Sequence, residues 1–104
     1  MSGTNYINAA QQRVLKLLGL LCGNEVHGLA PGEIAQALRT SPSNVTRDLA
    51  NLREAGFAEP LDNGRWRVTP RMGQFALRIL SALDDAGRRV EEVRRRFQAG
   101  EAHR

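Results

Sequence analysis

The sequence predicts a mostly α-helical fold with one small β-hairpin, closed by a long C-terminal helix. Three observations carry this. Apolar residues recur at helical spacing in four separate segments. Asp62-Asn63-Gly64 lies between two short stretches of strand-like composition, which marks a hairpin turn. From Met72 to Phe97 the apolar residues keep one heptad rhythm without a break.

The elements follow in order. Ile7, Ala10, Val14, Leu17, Leu18 and Leu21 share a wide helical face, and Gly23-Asn24 supplies the stop, so a first helix is predicted over roughly 6–22. Cys22 is expected as a buried residue of that helix. Glu25 to Leu29 has the look of a short strand. Pro31 then stands at a first helical position, where a missing N–H leaves nothing unpaired, and Glu33 follows in the first turn, where the helix dipole favours an acid. Ile34, Ala37 and Leu38 are read as the buried face of this second helix, about 31–38. Arg39-Thr40-Ser41 makes a tight turn. Ser41 is an N-cap, Pro42 follows it, and Val45, Leu49 and Leu52 fall on one face of a third helix, about 42–55. Gly56 ends that helix as a left-handed cap. Phe57–Leu61 and Arg65–Val68 are the strands on either side of the turn. Thr69-Pro70 opens the last helix, which is predicted to run from 70 to about 98 although Gly73 and Gly87 weaken it.

Helix, helix–turn–helix, hairpin, helix is the order of a winged helix-turn-helix followed by a long C-terminal helix. The connection of about three residues between the second and third helices is the length of a DNA-reading turn. The domain assignment is therefore 1–69 for the winged helix-turn-helix and 70–104 for a C-terminal helix that packs on the core and then becomes a dimerisation arm.

Several segments resemble the IclR-type winged-helix regulators. Gly28-Leu29-Ala30-Pro31-Gly32-Glu33-Ile34-Ala35 is similar to their second helix, and Ser41-Pro42-Ser43-Asn44-Val45-Thr46-Arg47-Asp48-Leu49 to their recognition helix. Leu52-Arg53-Glu54-Ala55-Gly56-Phe57 resembles the exit into the wing, and Asp62 to Arg71 the wing and the following helix start. The motifs are shared loosely with other winged-helix families, the MarR-like ones among them. The resemblance implies a sequence-specific double-stranded DNA-binding regulator without the effector-binding domain that usually follows in that family.

The residues support the same partner on their own account. The chain has 104 residues, 41% hydrophobic and 25% charged, with a net charge of +4, which describes one globular domain suited to an acidic partner. Lys16 is the single lysine among 15 basic residues, and arginine binds phosphate and the guanine edge bidentately. With Val45, Leu49 and Leu52 turned inward, the opposite face of the third helix carries Ser43, Arg47, Ala50, Asn51 and Glu54, and its N-terminal turn also exposes Asn44 and Thr46. Arg47 is the base-reading candidate, with guanine as its target. Ser41, at the helix N-terminus, favours a phosphate. Arg65 and Arg67 alternate with Trp66 and Val68 on the second strand, so the two arginines face the nucleic acid and Trp66 faces the core.

The heptad seam is Met72, Ala76, Ile79, Leu83, Ala86, Val90, Val93 and Phe97. Its first half is expected to pack on the first helix. Ile79, Leu83, Ala86, Val90, Val93 and Phe97 are the dimerisation residues, pairing two copies on a pseudo-palindromic site. The same arm also suits a different partner protein. A protein-interaction adaptor, or an architectural or replication-associated protein with little sequence preference, are the alternative functions. Cys22 is the one cysteine, so an intrachain disulfide is excluded; residues 1–12 hold no apolar leader core, and no apolar run reaches membrane-spanning length. A cytoplasmic protein with no membrane partner is expected. His27 and His103 stand far apart with no cysteine or histidine at ligand spacing, so no metal is expected. Nothing in the sequence calls for a cofactor or forms a nucleophilic or paired-carboxylate site, and no enzyme is expected.

Overall fold

The computed structural model describes residues 5–102; His103 lies outside them. The elements are α1 (Ala9–Leu21), α2 (Pro31–Leu38), α3 (Pro42–Glu54), β1 (Ala58–Pro60), β2 (Trp66–Val68) and α4 (Pro70–Ala102). The predicted fold class is the observed one.

α1 begins three residues later than its periodicity suggests, because Asn8 caps it. The Asn8 side chain accepts a hydrogen bond from the Gln11 N–H at 2.9 Å. Tyr6 and Ile7 therefore precede the helix and are exposed. The other end corrects the reading of Cys22. Gly23 takes φ 97°, the chain turns away after Leu21, and Cys22 is left outside the helix and exposed. In α2 the buried pair is Ile34 and Ala35, not Ala37, which is exposed. Ala35 and Leu38 lie on the same side of Ile34 around the helix, and Ala37 falls on the other.

α2 and α3 are joined by a turn in which Arg39 adopts φ 53°, ψ 50°. The Thr40 N–H donates to the Ala35 carbonyl at 3.0 Å and the Arg39 N–H to that of Gln36 at 3.3 Å, closing the end of α2 with the paired bonds of a Schellman motif. α3 ends the same way: the Phe57 N–H donates to Leu52 O at 2.8 Å and the Gly56 N–H to Arg53 O at 2.9 Å, with Gly56 at φ 83°. Here the glycine anticipated from the sequence does fill the left-handed position.

β1 and β2 are antiparallel, with Ala58 opposite Val68, Glu59 opposite Arg67 and Pro60 opposite Trp66. The segment before α2 contributes a single bridge instead of a strand: Leu29 and Trp66 exchange two backbone hydrogen bonds of 2.8 Å, while residues 25–27 form a turn. Gly28 makes that approach feasible. A Cβ there would lie 2.6 Å from Trp66 O, and its φ is +70°.

The core joins Leu17 and Leu21 of α1, Ile34 and Ala35 of α2, Val45, Leu49 and Leu52 of α3, Ala58 of β1 and Val68 of β2. Trp66 packs against it, as its inward placement on the strand predicts, and so does Met72. The chain divides into two compact units, the first reaching to Met72 and the second beginning at Gly73. The second unit is one helix, continuous through Gly73 and Gly87 and longer than the predicted end near 98. Its Ile79, Leu83, Ala86, Val90, Val93 and Phe97 are all exposed in the single chain.

Candidate nucleic-acid interface

α3 is held from both ends and from beneath. At its start the Ser41 hydroxyl accepts the Asn44 N–H at 3.2 Å and lies 3.1 Å from the Ser43 hydroxyl. Asn44 Nδ2 donates to Thr40 Oγ1 at 2.9 Å, tying the helix back onto the turn. Beneath, Val45, Leu49 and Leu52 are buried. Beside them lies a residue that periodicity alone misses: Asp48, only 3% exposed. Arg13 of α1 grips its carboxylate with two bonds, Nε to Oδ2 at 2.6 Å and Nη2 to Oδ1 at 2.9 Å. That bond raises the pKa of Arg13 above its ordinary value; partial burial opposes the shift and the attraction of the Asp48 charge adds to it. A forked, two-bond contact fixes orientation as well as distance, so the pair sets how α3 is rotated against α1. The sequence carries a faint signal, an acid at a core-facing position, but the partner is 35 residues away.

The outer side of α3 holds the expected polar set. Ser41, Ser43, Thr46, Arg47 and Asn51 are exposed, and Asn44 is half-buried. Thr46 Oγ1 donates to Pro42 O at 3.0 Å and Asn51 Nδ2 to Arg47 O at 2.8 Å. Both hydrogen bonds are local to the helix. The Arg47 side chain is exposed and has no hydrogen bond or ion pair among the described residues. It borders a shallow groove between α1 and α3, together with Val14, Leu15 and Asn51.

The wing arginines are arranged differently from the free pair the strand pattern suggests. Arg65 Nε donates to His27 O and its Nη2 to Gly28 O, both at 3.0 Å, and Nη2 also lies 2.9 Å from a Glu33 carboxylate oxygen. The same Glu33 oxygen accepts the Ala30 N–H at 2.9 Å. Arg65 therefore ties the wing to the start of α2. Arg67 reaches across the hairpin to Glu59, Nε to Oε2 at 2.9 Å. Both side chains remain partly exposed.

Two cations that the sequence does not group also come together. Lys16 of α1 and Arg39 of the turn line one shallow groove with Arg13 and Thr40. Lys16 and Arg39 are exposed. Among the described residues no three His, Cys, Asp or Glu side chains come together to hold a metal ion, and no helix is long and apolar enough to cross a membrane.

Comparison with known proteins agrees with this architecture. Residues 11–59, from α1 into β1, match the family model described as bacterial regulatory protein, arsR family. No curated protein matches the chain in sequence. Among solved structures, a mutant of S. aureus MepR is 20% identical with a TM-score of 0.52, over 81% of this chain and 64% of that one. The chain thus spans under two thirds of that protein's length. A MarR family transcription regulator is 21% identical over 95% of this chain and 76% of its own, TM-score 0.45. A mutant of Lactococcus lactis ZitR is 20% identical over 86% and 67%, TM-score 0.46. At these identities the first likeness speaks for the fold, and the last two are too distant to add to it. The family match is to the arsR model, so the IclR-type resemblance rests on its motif segments alone. The chain is a winged helix-turn-helix protein whose helix-turn-helix, residues 11–59, is similar to that of the bacterial arsR-family regulators.

Proposed function

We propose that this protein is a transcription regulator that binds specific double-stranded DNA through α3 and works in the cytoplasm as a homodimer, without catalytic activity. One observation carries the reading: α3 buries Val45, Leu49 and Leu52 and turns outward Arg47, which has no hydrogen bond or ion pair among the described residues and is flanked by Ser43, Thr46 and Asn51. An unpaired guanidinium beside short hydrogen-bonding side chains is the chemistry that reads a guanine edge in the major groove. Ser41 and Asn44, at the helix start, suit phosphate contact. Lys16 and Arg39 add positive charge on the α1 side. In this reading Arg65 and Arg67 meet phosphate or the minor groove, and each must share its guanidinium with the acid that already holds it. The arm from Ile79 through Leu83, Ala86, Val90 and Val93 to Phe97 joins two copies, so that two α3 helices meet successive major grooves about 34 Å apart.

The deciding experiment is selection of bound duplexes from genomic fragments, followed by titration of the enriched sequence against an unrelated one at several salt concentrations. A shared motif, tight binding and a steep loss with salt are expected. Equal affinity for all duplexes points to the architectural alternative. No binding at low salt overturns the DNA reading and leaves the adaptor.

A further inference from the structure

The flanks of the α4 seam carry information about how the arm pairs, given the reading above that it pairs with a second copy. We propose that the two α4 helices run antiparallel, with Leu83 opposite the partner's Ala86, Ile79 opposite the partner's Val90 and Ala76 opposite the partner's Val93.

The argument starts from charge. The seam alternates two sets of positions, Ala76, Leu83, Val90 and Phe97, and Met72, Ile79, Ala86 and Val93. Phe75, Ala82, Arg89 and Arg96 border the first set; Gly73, Leu80, Gly87 and Arg94 border the second. In a parallel pair each border residue faces the opposite border of the other helix five residues further on. Arg89 would then face the partner's Arg94, and two-fold symmetry would repeat the clash. Arg89 has no ion pair among the described residues, and Arg94 has only a 3.8 Å contact with Glu91 in its own helix. Like charges at these positions select against a pairing.

Reversing one helix makes each border face its own kind. Arg89 then faces the partner's Ala82, Arg94 faces the partner's Gly73, and Arg96 lies beside the partner's Phe75, so that no arginine meets a like charge. Leu80 faces the partner's Gly87. Two otherwise unexplained features meet there. Leu80 is 55% exposed and lies off the seam. Gly87 leaves open space, with nothing within 4 Å of where its Cβ would stand.

Size agrees with charge. The antiparallel layers set Leu83 against the partner's Ala86 and Ala76 against the partner's Val93, large against small, as interdigitating layers require. The parallel layers stack Ala on Ala and Phe on Phe. Sliding the antiparallel pair by one heptad fails in either direction: one slip sets Arg89 against the partner's Arg89, and the other strips Val93 and Phe97 of partners. Antiparallel pairing also places the two Pro70 ends about 40 Å apart along the pair, at ~1.5 Å per residue, against about 10 Å in a parallel pair.

Cysteine cross-linking tests this in the full chain, in a Cys22→Ser background, because Cys22 is exposed and would itself react. Sedimentation equilibrium first establishes that the protein is dimeric. Chains carrying Ile79→Cys mixed with chains carrying Val90→Cys should then cross-link under mild oxidation, and Val90→Cys alone should not. Self-linking of Val90→Cys overturns the orientation while leaving the dimer intact. A dimer that links in neither experiment pairs elsewhere, which also overturns it. A monomer at tens of micromolar overturns the dimer reading itself. Arg89→Glu gives an independent check: a parallel pair would tighten through new contacts to the partner's Arg94, whereas the antiparallel pair should change its dimerisation constant by less than about fivefold.

Discussion

Arg47 and Arg65 show how two side chains of one chemical type take different roles. The Arg47 side chain has no hydrogen bond or ion pair among the described residues, so its replacement by alanine should leave the fold intact and remove only what it does for a ligand. Arg47→Ala should weaken binding to the selected duplex by ~1–3 kcal/mol and flatten the preference at one base pair, read by fluorescence anisotropy on single-base variants of the site. Arg65 holds two backbone carbonyls and Glu33 with a guanidinium that is one-third exposed. Its hydrogen bonds involve a charge, but solvent screens part of their strength, and about 1 kcal/mol of stability is a reasonable allowance. Arg65→Ala should therefore lower the melting temperature by ~4–8 °C and weaken all duplexes alike. A variant that loses affinity evenly at an unchanged melting temperature would show that the tether to α2 contributes nothing.

At the scale of elements, the turn and the seat of α3 decide where its outer face points. The left-handed position between α2 and α3 is occupied by Arg39, at a steric cost of ~1–2 kcal/mol that glycine would not incur. Glycine would forfeit ~0.4–1 kcal/mol through the looser unfolded chain. Arg39→Gly should thus raise stability by about 0.5 kcal/mol in denaturant titration. An arginine at this strained position is in keeping with the positive charge proposed for the α1 side. The Arg13–Asp48 pair makes a second, sharper prediction. A buried pair gains little net stability, but removal of one partner strands the other. Arg13→Leu leaves a carboxylate that is 3% exposed without its counter-charge. It should melt well below the double variant Arg13→Leu/Asp48→Leu. If the double variant reaches the parent melting temperature yet binds DNA poorly, the pair is kept to aim α3. Full binding by a stable double variant would deny it that role.

Across the whole molecule, the unit up to Met72 has a core of its own, and the unit from Gly73 is a single helix that exposes its apolar seam. A lone helix with Ile79, Leu83, Val90, Val93 and Phe97 open to water has no burial to support it, which motivates the dimer. A truncation after Asp84 removes half the seam and should sediment as a monomer. It should keep the melting behaviour of the first unit and lose most of its affinity for a two-half-site duplex, because the two domains would no longer bind as one. A truncation as dimeric as the full chain would place the interface elsewhere.

By itself the sequence determined the order and kind of the elements, because helix period, cap and turn chemistry are local. Ser41-Pro42, Asn63-Gly64 and Thr69-Pro70 mark their boundaries through contacts within a few residues, and Val45, Leu49 and Leu52 announce an inner face by spacing alone. The outward placement of Arg47 followed from the same arithmetic. Only the tertiary structure decided what the charged side chains hold. Asp48 meets Arg13, and Arg65 meets Glu33, across 35 and 32 residues of chain. No periodicity encodes such distances, because the pairs are formed by the packing of α1, α2 and the wing around a shared core. Cys22 and Ala37 were misplaced for a related reason: a cap at Gly23 and the roll of a short helix against its neighbours are settled by packing, beyond the reach of a pattern read along one strand of sequence.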